Sequence, residues 1–275
     1  MFIQVLNLGR VPYETALQLQ RTLLEMRKAD RIGNTLLLLE HSPVITLGRN
    51  AQLDNVLASP EFLAQRGVEL FEIDRGGDVT FHGPGQLVAY PIFDLRSFEP
   101  KIGAVEFVRR LEEVLIRTCG DFGIGTQRIK GLTGVWTYAL HNKPEAKIAA
   151  IGVHISRGVT THGFALNVST DLDFFTLIVP CGIAGKPVTS MERELQKPLT
   201  VDEVATAASR NFGRVFQSQM LWLESLDDLL AEASAPEKTS VVARPQAPEP
   251  PANQDTPARP PQELRRLHGD GNELA

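Results

Sequence analysis

Residues 75–90 read Arg-Gly-Gly-Asp-Val-Thr-Phe-His-Gly-Pro-Gly-Gln-Leu-Val-Ala-Tyr. Four glycines stand within the first eleven positions of this run, although its other residues are typical of strands. Glycine inside a strand weakens it and often marks close approach of a ligand or another backbone. A loop with several tight turns would also use glycine and proline, but it would not need the Arg, Thr, His and Gln side chains found here. The run therefore predicts a ligand site on a connection between two strands.

Short strands and amphipathic helices are predicted on both sides of this run. The predicted strands span residues 35–40, 44–47, 68–74, 86–95, 134–140, 147–155 and 163–168. The predicted helices span residues 12–28, 59–67, 103–118, 200–216 and 222–233. The helix at 103–118 is expected to bury Val105, Val108, Leu111 and Leu115, and a turn is expected at 156–161. Since the pattern lacks regular strand–helix–strand units, it favours an α+β fold.

The 275 residues divide by composition into two parts. Residues 1–233 are predicted to form one domain, which is long enough to bury a substantial core. Residues 234–275 are rich in Pro, Ala, Glu and Gln and lack hydrophobic periodicity. Such a segment cannot bury enough apolar area to offset its chain entropy, which predicts a disordered tail. A Pro-rich ligand for a partner protein is the less favoured alternative.

The charge balance is mildly acidic, with 28 Lys and Arg against 33 Asp and Glu, a net charge of −5. This argues against a nucleic-acid or anionic-membrane role. A local basic patch for an acidic partner stays open, with Arg109, Arg110, Arg128 and Lys130 as candidates, although solvated charges are the simpler interpretation. No apolar run reaches the ~18–20 residues that span a bilayer. We therefore expect a cytoplasmic protein with reduced thiols.

The two cysteines, Cys119 and Cys181, occupy different settings and do not suggest a disulfide framework. Cys119 falls at the end of a predicted amphipathic helix, where a buried, inert thiol is expected. Cys181 lies in an irregular segment, between a proline and a glycine. A partly exposed loop of this kind is where a nucleophilic cysteine is expected, although the residues alone leave catalysis and structure equally open.

Four further motifs follow the family order of one group of enzymes. They lie at residues 41–49 (His-Ser-Pro-Val-Ile-Thr-Leu-Gly-Arg), 147–152 (Lys-Ile-Ala-Ala-Ile-Gly), 162–168 (His-Gly-Phe-Ala-Leu-Asn-Val) and 180–183 (Pro-Cys-Gly-Ile). Together with the glycine-rich run they resemble the lipoyl/octanoyl transferases, over roughly residues 1–220. These enzymes pass an octanoyl group from acyl carrier protein to lipoyl domains. The resemblance implies the biotin/lipoate protein ligase-like fold, a mixed sheet flanked by helices, with the helices on one side.

The resemblance also implies roles for individual residues. Cys181 would be the nucleophile, and Lys147 would activate it, although a surface position is the default expectation for a single lysine. An ammonium beside the sulfur would favour the thiolate, whereas a neutral amine would take the thiol proton. Substrate contacts are implied for Arg75, Gly76, Gly77, Asp78, Val79, Thr80, Phe81, His82, Ala150, Ile151, Gly152, Gly163, Phe164 and Ala165.

Some of these roles have simpler structural alternatives. Gly152 and Gly163 are expected where a bulkier residue would block an acyl tunnel. Phe164 could line that tunnel or be an ordinary core residue. His82 could bond the substrate, orient Lys147, or be a structural histidine.

The implied reaction is a two-step acyl transfer through a cysteine thioester. The partners would be acyl carrier protein, whose phosphopantetheine carries the acyl group, and the lipoyl domains of 2-oxoacid dehydrogenase E2 subunits and of the glycine cleavage H protein. No separate cofactor, nucleic acid or membrane is expected.

Three alternative functions compete with this hypothesis. A zinc site built from His82, His154, His162 and Cys181 is disfavoured because these residues are widely spaced. An ATP-dependent lipoate or biotin ligase would share the fold but would not need Cys181. A non-catalytic binding module would retain its function without that cysteine.

Overall fold

The computed structural model describes residues 1–140, 143–179 and 186–234, except for the side chains of residues 232–234. Within those ranges the strands are β1 (Phe2–Val11), β2 (Asn34–His41), β3 (Val44–Leu47), β4 (Glu69–Glu72), β5 (Val79–His82), β6 (Gln86–Ile92), β7 (Thr126–Ile129), β8 (Leu132–Thr137), β9 (Lys147–Ser156), β10 (Val159–Asn167) and β11 (Gln219–Trp222). The helices there are α1 (Tyr13–Lys28), α2 (Pro60–Gln65), α3 (Ala104–Asp121), α4 (Met191–Leu195), α5 (Val201–Phe216) and α6 (Leu226–Ser234). The predicted α+β class is confirmed.

The larger sheet is mixed, and in the described ranges its eight strands run in the order β11-β1-β2-β6-β10-β9-β8-β7. β1 is parallel to β11 and β2, whereas the other neighbours are antiparallel. The central strands β2, β6 and β10 are buried almost throughout. A strand covered on both faces needs apolar residues at most positions, and the four leucines at 36–39 meet that need.

The two faces of this sheet carry different cores, because alternate residues of a strand point to opposite sides. Leu36 and Leu38 pack in the cluster that holds α3 and α5, whereas Leu37 and Leu39 pack with α1 and α6. We call the first side the phenylalanine face, after Phe93, Phe107, Phe164, Phe212 and Phe216. We call the second the cavity face. The expectation that the helices lie on one side is therefore wrong, since both faces are covered.

A smaller sheet, in the order β4-β3-β5, has its own core. Ile45, Val79 and Phe81 from its strands pack with Leu63 of α2. The strands predicted on either side of residues 41–43 thus belong to different sheets. The glycine-rich run is also not a simple connection, since its middle part forms β5.

The helix ends follow their sequence signals. The Ser59 hydroxyl accepts a hydrogen bond from the Phe62 amide at the start of α2, and Pro60 occupies a first-turn position. Thr200 and Glu203 form the reciprocal capping box of α5. These two predicted starts are confirmed.

Three predictions about elements are corrected, and one strand was not predicted. Of the residues expected to be buried in α3, Leu111 and Leu115 are buried, whereas Val108 is half-buried and Val105 is 76% exposed. Phe107 and Val114 are buried as well. β10 starts at residue 159, so the turn predicted at 156–161 is limited to Arg157 and Gly158, both with positive φ. Trp222 belongs to β11 rather than to the last helix, and β1 was not predicted. From residue 235 onward the predicted tail lies outside the described residues.

Candidate active site

The glycine-rich run closes a cavity against the cavity face of the larger sheet. This main cavity has a volume of about 470 Å³, counting space open to solvent. Eleven of the fourteen residues that the resemblance assigned to substrate contact line it. They are Arg75, Gly77, Asp78, Thr80, His82, Ala150, Ile151, Gly152, Gly163, Phe164 and Ala165. Three stretches that are far apart in sequence thus meet around one space.

Arg75 anchors the run above the sheet. Its buried guanidinium donates to the Thr46 carbonyl at 2.7 Å and to the Thr46 hydroxyl at 2.9 Å. The amide of Gly76 donates to the Val153 carbonyl of β9 at 3.0 Å. The run is therefore held by hydrogen bonds to both sheets.

Gly152 and Gly163 are explained by backbone packing. A Cβ on Gly152 would lie 2.7 Å from the Gly76 carbonyl oxygen. A Cβ on Gly163 would collide with the Ala89 carbonyl oxygen of β6. Both glycines are needed because neighbouring backbone segments of the same chain approach closely, and not because they leave room for a ligand.

Residues of β5 point alternately toward and away from the main cavity. Thr80 and His82 line it, whereas the side chains of Val79 and Phe81 are buried in the smaller sheet's core. Phe164 also turns its ring away, onto the phenylalanine face, where it stacks on Phe212 with centroids 5.8 Å apart. Of the two roles considered for its side chain, the structure supports the core role.

A cluster of polar rings lies beneath the main cavity. His41 donates from Nδ1 to the Val11 carbonyl at 2.8 Å and accepts the Tyr90 hydroxyl at Nε2, at 2.7 Å. Tyr13 lies 5.0 Å from His41 and 6.2 Å from His82, centroid to centroid. Burial lowers the pKa of His41 to about 4 and that of His82 to about 3. Both imidazoles are therefore neutral near pH 7.

His162 ties the segment before Arg75 to β10. Its Nε2 donates to Asp74 Oδ1 at 2.9 Å, and its amide donates to Gln20 Oε1 at 2.7 Å. The hydrogen bond from His162 is the largest cause that lowers the pKa of Asp74 to about 2, while burial lowers the pKa of His162 itself. His162 has a φ of 55°, which is uncommon for a non-glycine residue.

His82 begins a one-directional chain of hydrogen bonds. Its Nδ1 lies 2.8 Å from Gln86 Oε1, and Gln86 Nε2 donates to Asn167 Oδ1 at 2.8 Å. Asn167 Nδ2 in turn donates to the Thr189 carbonyl at 3.0 Å. Because Gln86 uses its NH₂ group as donor, its oxygen must accept, which assigns the proton of neutral His82 to Nδ1. Nε2 of His82 is then an acceptor.

Lys147 is turned onto the cavity face by a β-bulge. Val135 pairs with Ala149 but Trp136 pairs with Lys147, so β9 has one extra residue there. Val135 faces the phenylalanine side, and Trp136 and Lys147 therefore face the cavity side. Lys147 is buried, with Nζ 5.3 Å from the centroid of the Trp136 indole. A Cβ on Gly134 would lie 2.9 Å from Lys147 Cε, so this glycine makes room for the lysine.

Lys147 lines a second, smaller cavity. This lysine cavity has a volume of about 290 Å³, again counting open space. Thr80, Ala150 and Ala165 line both cavities, so the two are adjacent.

Cys181 lies outside the described residues, but the residues on either side of its segment are held by backbone hydrogen bonds. Before it, the Val179 amide donates to the Asn55 carbonyl at 2.8 Å. After it, the Lys147 amide donates to the Pro187 carbonyl at 2.8 Å, and the Thr189 amide donates to the Lys147 carbonyl at 2.9 Å. The chain that follows the Cys181 segment is therefore hydrogen-bonded directly to Lys147.

Cys119 matches its expected role. Its side chain is fully buried on the phenylalanine face, and burial raises the pKa of its thiol to about 12. A thiol with that pKa is not a nucleophile near pH 7.

Three of the candidate basic residues are neutralised by glutamates. Arg109 and Arg128 pair with the buried carboxylate of Glu112, at 2.7 and 3.0 Å. Arg110 pairs with Glu106 at 2.8 Å. Ordinary paired charges explain these arginines.

In the part of the chain that the structure describes, no group of three or more His, Cys, Asp or Glu residues is arranged to hold a metal ion. No helix in the same ranges is both long and apolar enough to cross a membrane.

Comparison with protein families assigns the chain to one family. The model of the lipoyl protein ligase A/B catalytic domain matches residues 12–213, which is more than half of the sequence. The chain belongs to this family. Its membership confirms the resemblance that the glycine-rich run and the later motifs indicated.

Two similar curated proteins have the same name. A protein of Koribacter versatilis named octanoyltransferase is 65% identical over 268 residues, covering 98% of both chains. An octanoyltransferase of Acidobacterium capsulatum is 62% identical over 239 residues, covering 84% of this chain and 97% of its own.

Solved structures share the fold at low sequence identity. A bipartite lipoate protein ligase from Thermoplasma acidophilum is 18% identical with a TM-score of 0.65, and covers 85% of this chain and 91% of its own. A lipoate-protein ligase A bound with ATP is 17% identical with a TM-score of 0.64, and covers 85% and 93%. The predicted ligase-like fold is confirmed.

Several residues around the site were not predicted. Tyr13 falls in the predicted helix 12–28, and Gly134 and Asn167 fall in predicted strands, without a predicted role in the site. The one available signal was a polar Asn at the end of the apolar strand 163–168. The bulge that turns Lys147 has no local signal, because it depends on how β8 and β9 pair.

Proposed function

We propose that this member of the family transfers an octanoyl group from octanoyl-acyl carrier protein to a specific lysine of lipoyl domains. The observation that carries the proposal is the 65% identity, over 98% of both chains, to a protein named octanoyltransferase. The acceptors would be the lipoyl domains of 2-oxoacid dehydrogenase E2 subunits and of the glycine cleavage H protein, in the cytoplasm. No cofactor is needed beyond the phosphopantetheine that carries the donor.

In the first half-reaction the Cys181 thiolate attacks the thioester carbonyl of the donor. The tetrahedral intermediate collapses, the octanoyl group stays on Cys181, and the phosphopantetheine sulfur leaves and takes up a proton. Lys147 is the proposed proton carrier, supported by its burial beside the chain that returns from the Cys181 segment. Backbone amides near residues 181–182 or in the glycine-rich run are the proposed donors to the oxyanion.

In the second half-reaction the acceptor lysine amine attacks the Cys181 thioester. An amide forms, the carbon–sulfur bond breaks, and Cys181 leaves as thiolate. The attacking amine must lose two protons overall, one before it can attack because an ordinary lysine is protonated near pH 7. Lys147 serves this step as the base. The octanoyl chain occupies the main cavity, whose lining includes Ala150, Ile151 and Ala165.

The rival function is that of an ATP-dependent ligase, which shares the fold. The similarity to lipoate protein ligases, at 17–18% identity, supports the fold alone. The much higher identity to octanoyltransferases favours acyl transfer from a thioester over adenylation of a free acid.

The test is the intact mass of the full-length protein after incubation with octanoyl-acyl carrier protein, without ATP. We expect an octanoyl adduct on the wild type that is chased onto an added lipoyl domain, and no adduct on Cys181→Ala. Cys119→Ala is the matched control and should form the adduct, since Cys119 is fully buried in the apolar core of the phenylalanine face. Activity that appears only with ATP and free octanoate would overturn the proposal in favour of the ligase.

A further inference from the structure

Part of the lining of the main cavity is polar, which a purely alkyl ligand does not require. Tyr13, His82 and Tyr90 line the main cavity and do not line the lysine cavity. Lys147, conversely, lines only the lysine cavity of the two. An acyl group whose carbonyl lies beside Lys147 and whose alkyl chain occupies the main cavity would bring its distal carbons toward these rings.

The two tyrosines differ in how their hydroxyls are used. The Tyr90 hydroxyl donates to His41 Nε2 at 2.7 Å. The Tyr13 hydroxyl is buried and has no hydrogen-bond partner among the described residues, and the Tyr13 side chain is only 1% exposed. A buried hydroxyl without a partner is unfavourable, and in a native structure it calls for a specific explanation.

His82 supplies the complementary group. Its Nδ1 proton is engaged by Gln86, and its lowered pKa leaves Nε2 unprotonated near pH 7. No hydrogen bond reaches Nε2 from the residues that the structure describes. Tyr13 and His82 are stacked with ring centroids 6.2 Å apart and an interplanar angle of 11°, and both line the main cavity, so a hydroxyl donor and an imidazole acceptor belong to the same lining.

We propose that Tyr13 and His82 form a subsite for an oxygen atom near the far end of the bound acyl group, so that the cavity accepts medium-length acyl chains with a distal hydroxyl. The hydroxyl of such a chain accepts a hydrogen bond from Tyr13 and donates one to His82 Nε2. A plain octanoyl chain leaves both groups unused. The inference rests on the proposed acyl transfer, and it assigns to the same cavity a second substrate class.

The expected preference between hydroxylated and plain acyl chains follows from the free-energy cost of burying polar groups without hydrogen bonds. An apolar cavity rejects a hydroxylated chain because the buried hydroxyl loses its hydrogen bonds to water. A cavity that offers a matched donor and acceptor removes this cost. Removal of the Tyr13 hydroxyl should restore the rejection, so that the kcat/KM for a hydroxylated donor falls relative to that for the octanoyl donor.

The experiment compares octanoyl donors that carry a hydroxyl at carbon 6, 7 or 8 with the unsubstituted donor, each loaded on acyl carrier protein. For the wild type we expect at least one hydroxylated donor to reach a kcat/KM within about threefold of octanoyl. In Tyr13→Phe the kcat/KM for this hydroxylated donor, divided by the kcat/KM for the octanoyl donor, should fall about tenfold. A change of this size is expected for the loss of one hydrogen bond. Ser209→Ala is the matched control, because it also removes a buried hydroxyl without a partner, but on α5 away from the cavity; its ratio should not change.

Binding measurements separate this inference from the proposed function. Calorimetric titration of the full chain with hydroxyoctanoates and octanoate requires no turnover, and the same dependence on Tyr13 is expected. Rejection of all three hydroxylated chains by the wild type, or an unchanged ratio in Tyr13→Phe, overturns the inference. Failure of octanoyl transfer itself, with the binding preference intact, overturns only the proposed function. Since Tyr13→Phe removes an unpaired hydroxyl, its Tm should not be lowered, which a thermal melt checks.

Discussion

The phenylalanine face and the cavity face of the larger sheet are made by the same strands, yet they bury different kinds of side chains. On the phenylalanine face, Phe93, Phe164 and Phe212 pack into one continuous apolar core, and even its cysteine is inert. On the cavity face, Leu37 and Leu39 also pack in an apolar cluster, but polar side chains that include His41 and Lys147 are buried beside it. Alternation along the strands keeps the two sets apart, so one side can be packed for stability while the other keeps space and polar groups for chemistry.

Substitution at Lys147 should have the largest effect and should separate activity from stability. We expect Lys147→Met to lower octanoyl transfer by about 1,000-fold, equivalent to ~4 kcal/mol, because a general acid–base group is lost. The unfolding transition should change little, since methionine fills a similar buried volume. Steady-state transfer assays and urea melts measure the two quantities.

Lys186→Met is the matched control for Lys147→Met. The Lys186 ammonium also lies near the Trp136 ring, 5.6 Å from its centroid, but it pairs with Glu145 and is partly exposed. Its transfer rate should stay within about fivefold of the wild type. Equal losses in both variants would mean that charge near Trp136, rather than Lys147 itself, supports the reaction.

Substitution on the phenylalanine face should have the reverse effect, with a large loss of stability and little change in kcat. Phe212 is fully buried, and Phe212→Ala should lower the free energy of unfolding by about 3 to 4 kcal/mol through lost burial and a cavity. The folded fraction should keep nearly wild-type kcat. Phe2→Ala, at a phenylalanine that is 63% exposed, should change stability by less than ~0.5 kcal/mol. A large loss of kcat in folded Phe212→Ala would contradict the independence of the two faces.

Substitution of Gly134 tests whether the position of Lys147 depends on the absence of a side chain at residue 134. In Gly134→Ala the new Cβ would lie 2.6 Å from the Ala149 carbonyl oxygen and 2.9 Å from Lys147 Cε. We expect kcat to fall by about 100-fold as Lys147 is displaced. Gly131→Ala is the control, because Gly131 also has a positive φ but an added Cβ would meet no atom within 4 Å. It should lose only stability, by roughly 1 kcal/mol, and similar kcat values in the two variants would remove the proposed role of Gly134.

The smallest effect is a pH dependence that comes from the buried histidines of the cavity face. The pKa values of His41 and His82 in the folded protein, about 4 and about 3, are below the ordinary histidine value of about 6.5. Between these values the unfolded chain binds more protons, so stability rises with pH and is fully present above about pH 6.5. We expect the free energy of unfolding to fall by roughly 1 kcal/mol per histidine for each pH unit between pH 6 and pH 5.

Denaturant melts across this pH range measure the slope. Asp74 does not contribute there, because its folded pKa of about 2 and its ordinary value are both below pH 5. A flat profile from pH 7 to pH 5 would mean that the two rings are accessible to water in the folded state.

The sequence predicted the parts of the site that depend on local chemistry. The glycine-rich run, Lys147 and the stretches at 150–152 and 163–165 were recognised as motifs, and the structure brings them to adjacent cavities. Capping residues such as Ser59 and Thr200 marked helix starts correctly, because a cap acts within one turn. Val105 was misplaced because helical spacing alone does not say which neighbouring elements cover a face.

The sequence by itself determined the family, the α+β class and the identity of the motifs, since these follow from residue types and their short-range spacing. Tertiary structure alone decided which side of the sheet each motif faces. The β-bulge between β8 and β9 places Lys147 on the cavity face, and the packing of α1 brings Tyr13 beside His82. Both depend on pairing between residues distant in the chain, and a shift of one position in a strand reverses the direction of every side chain that follows.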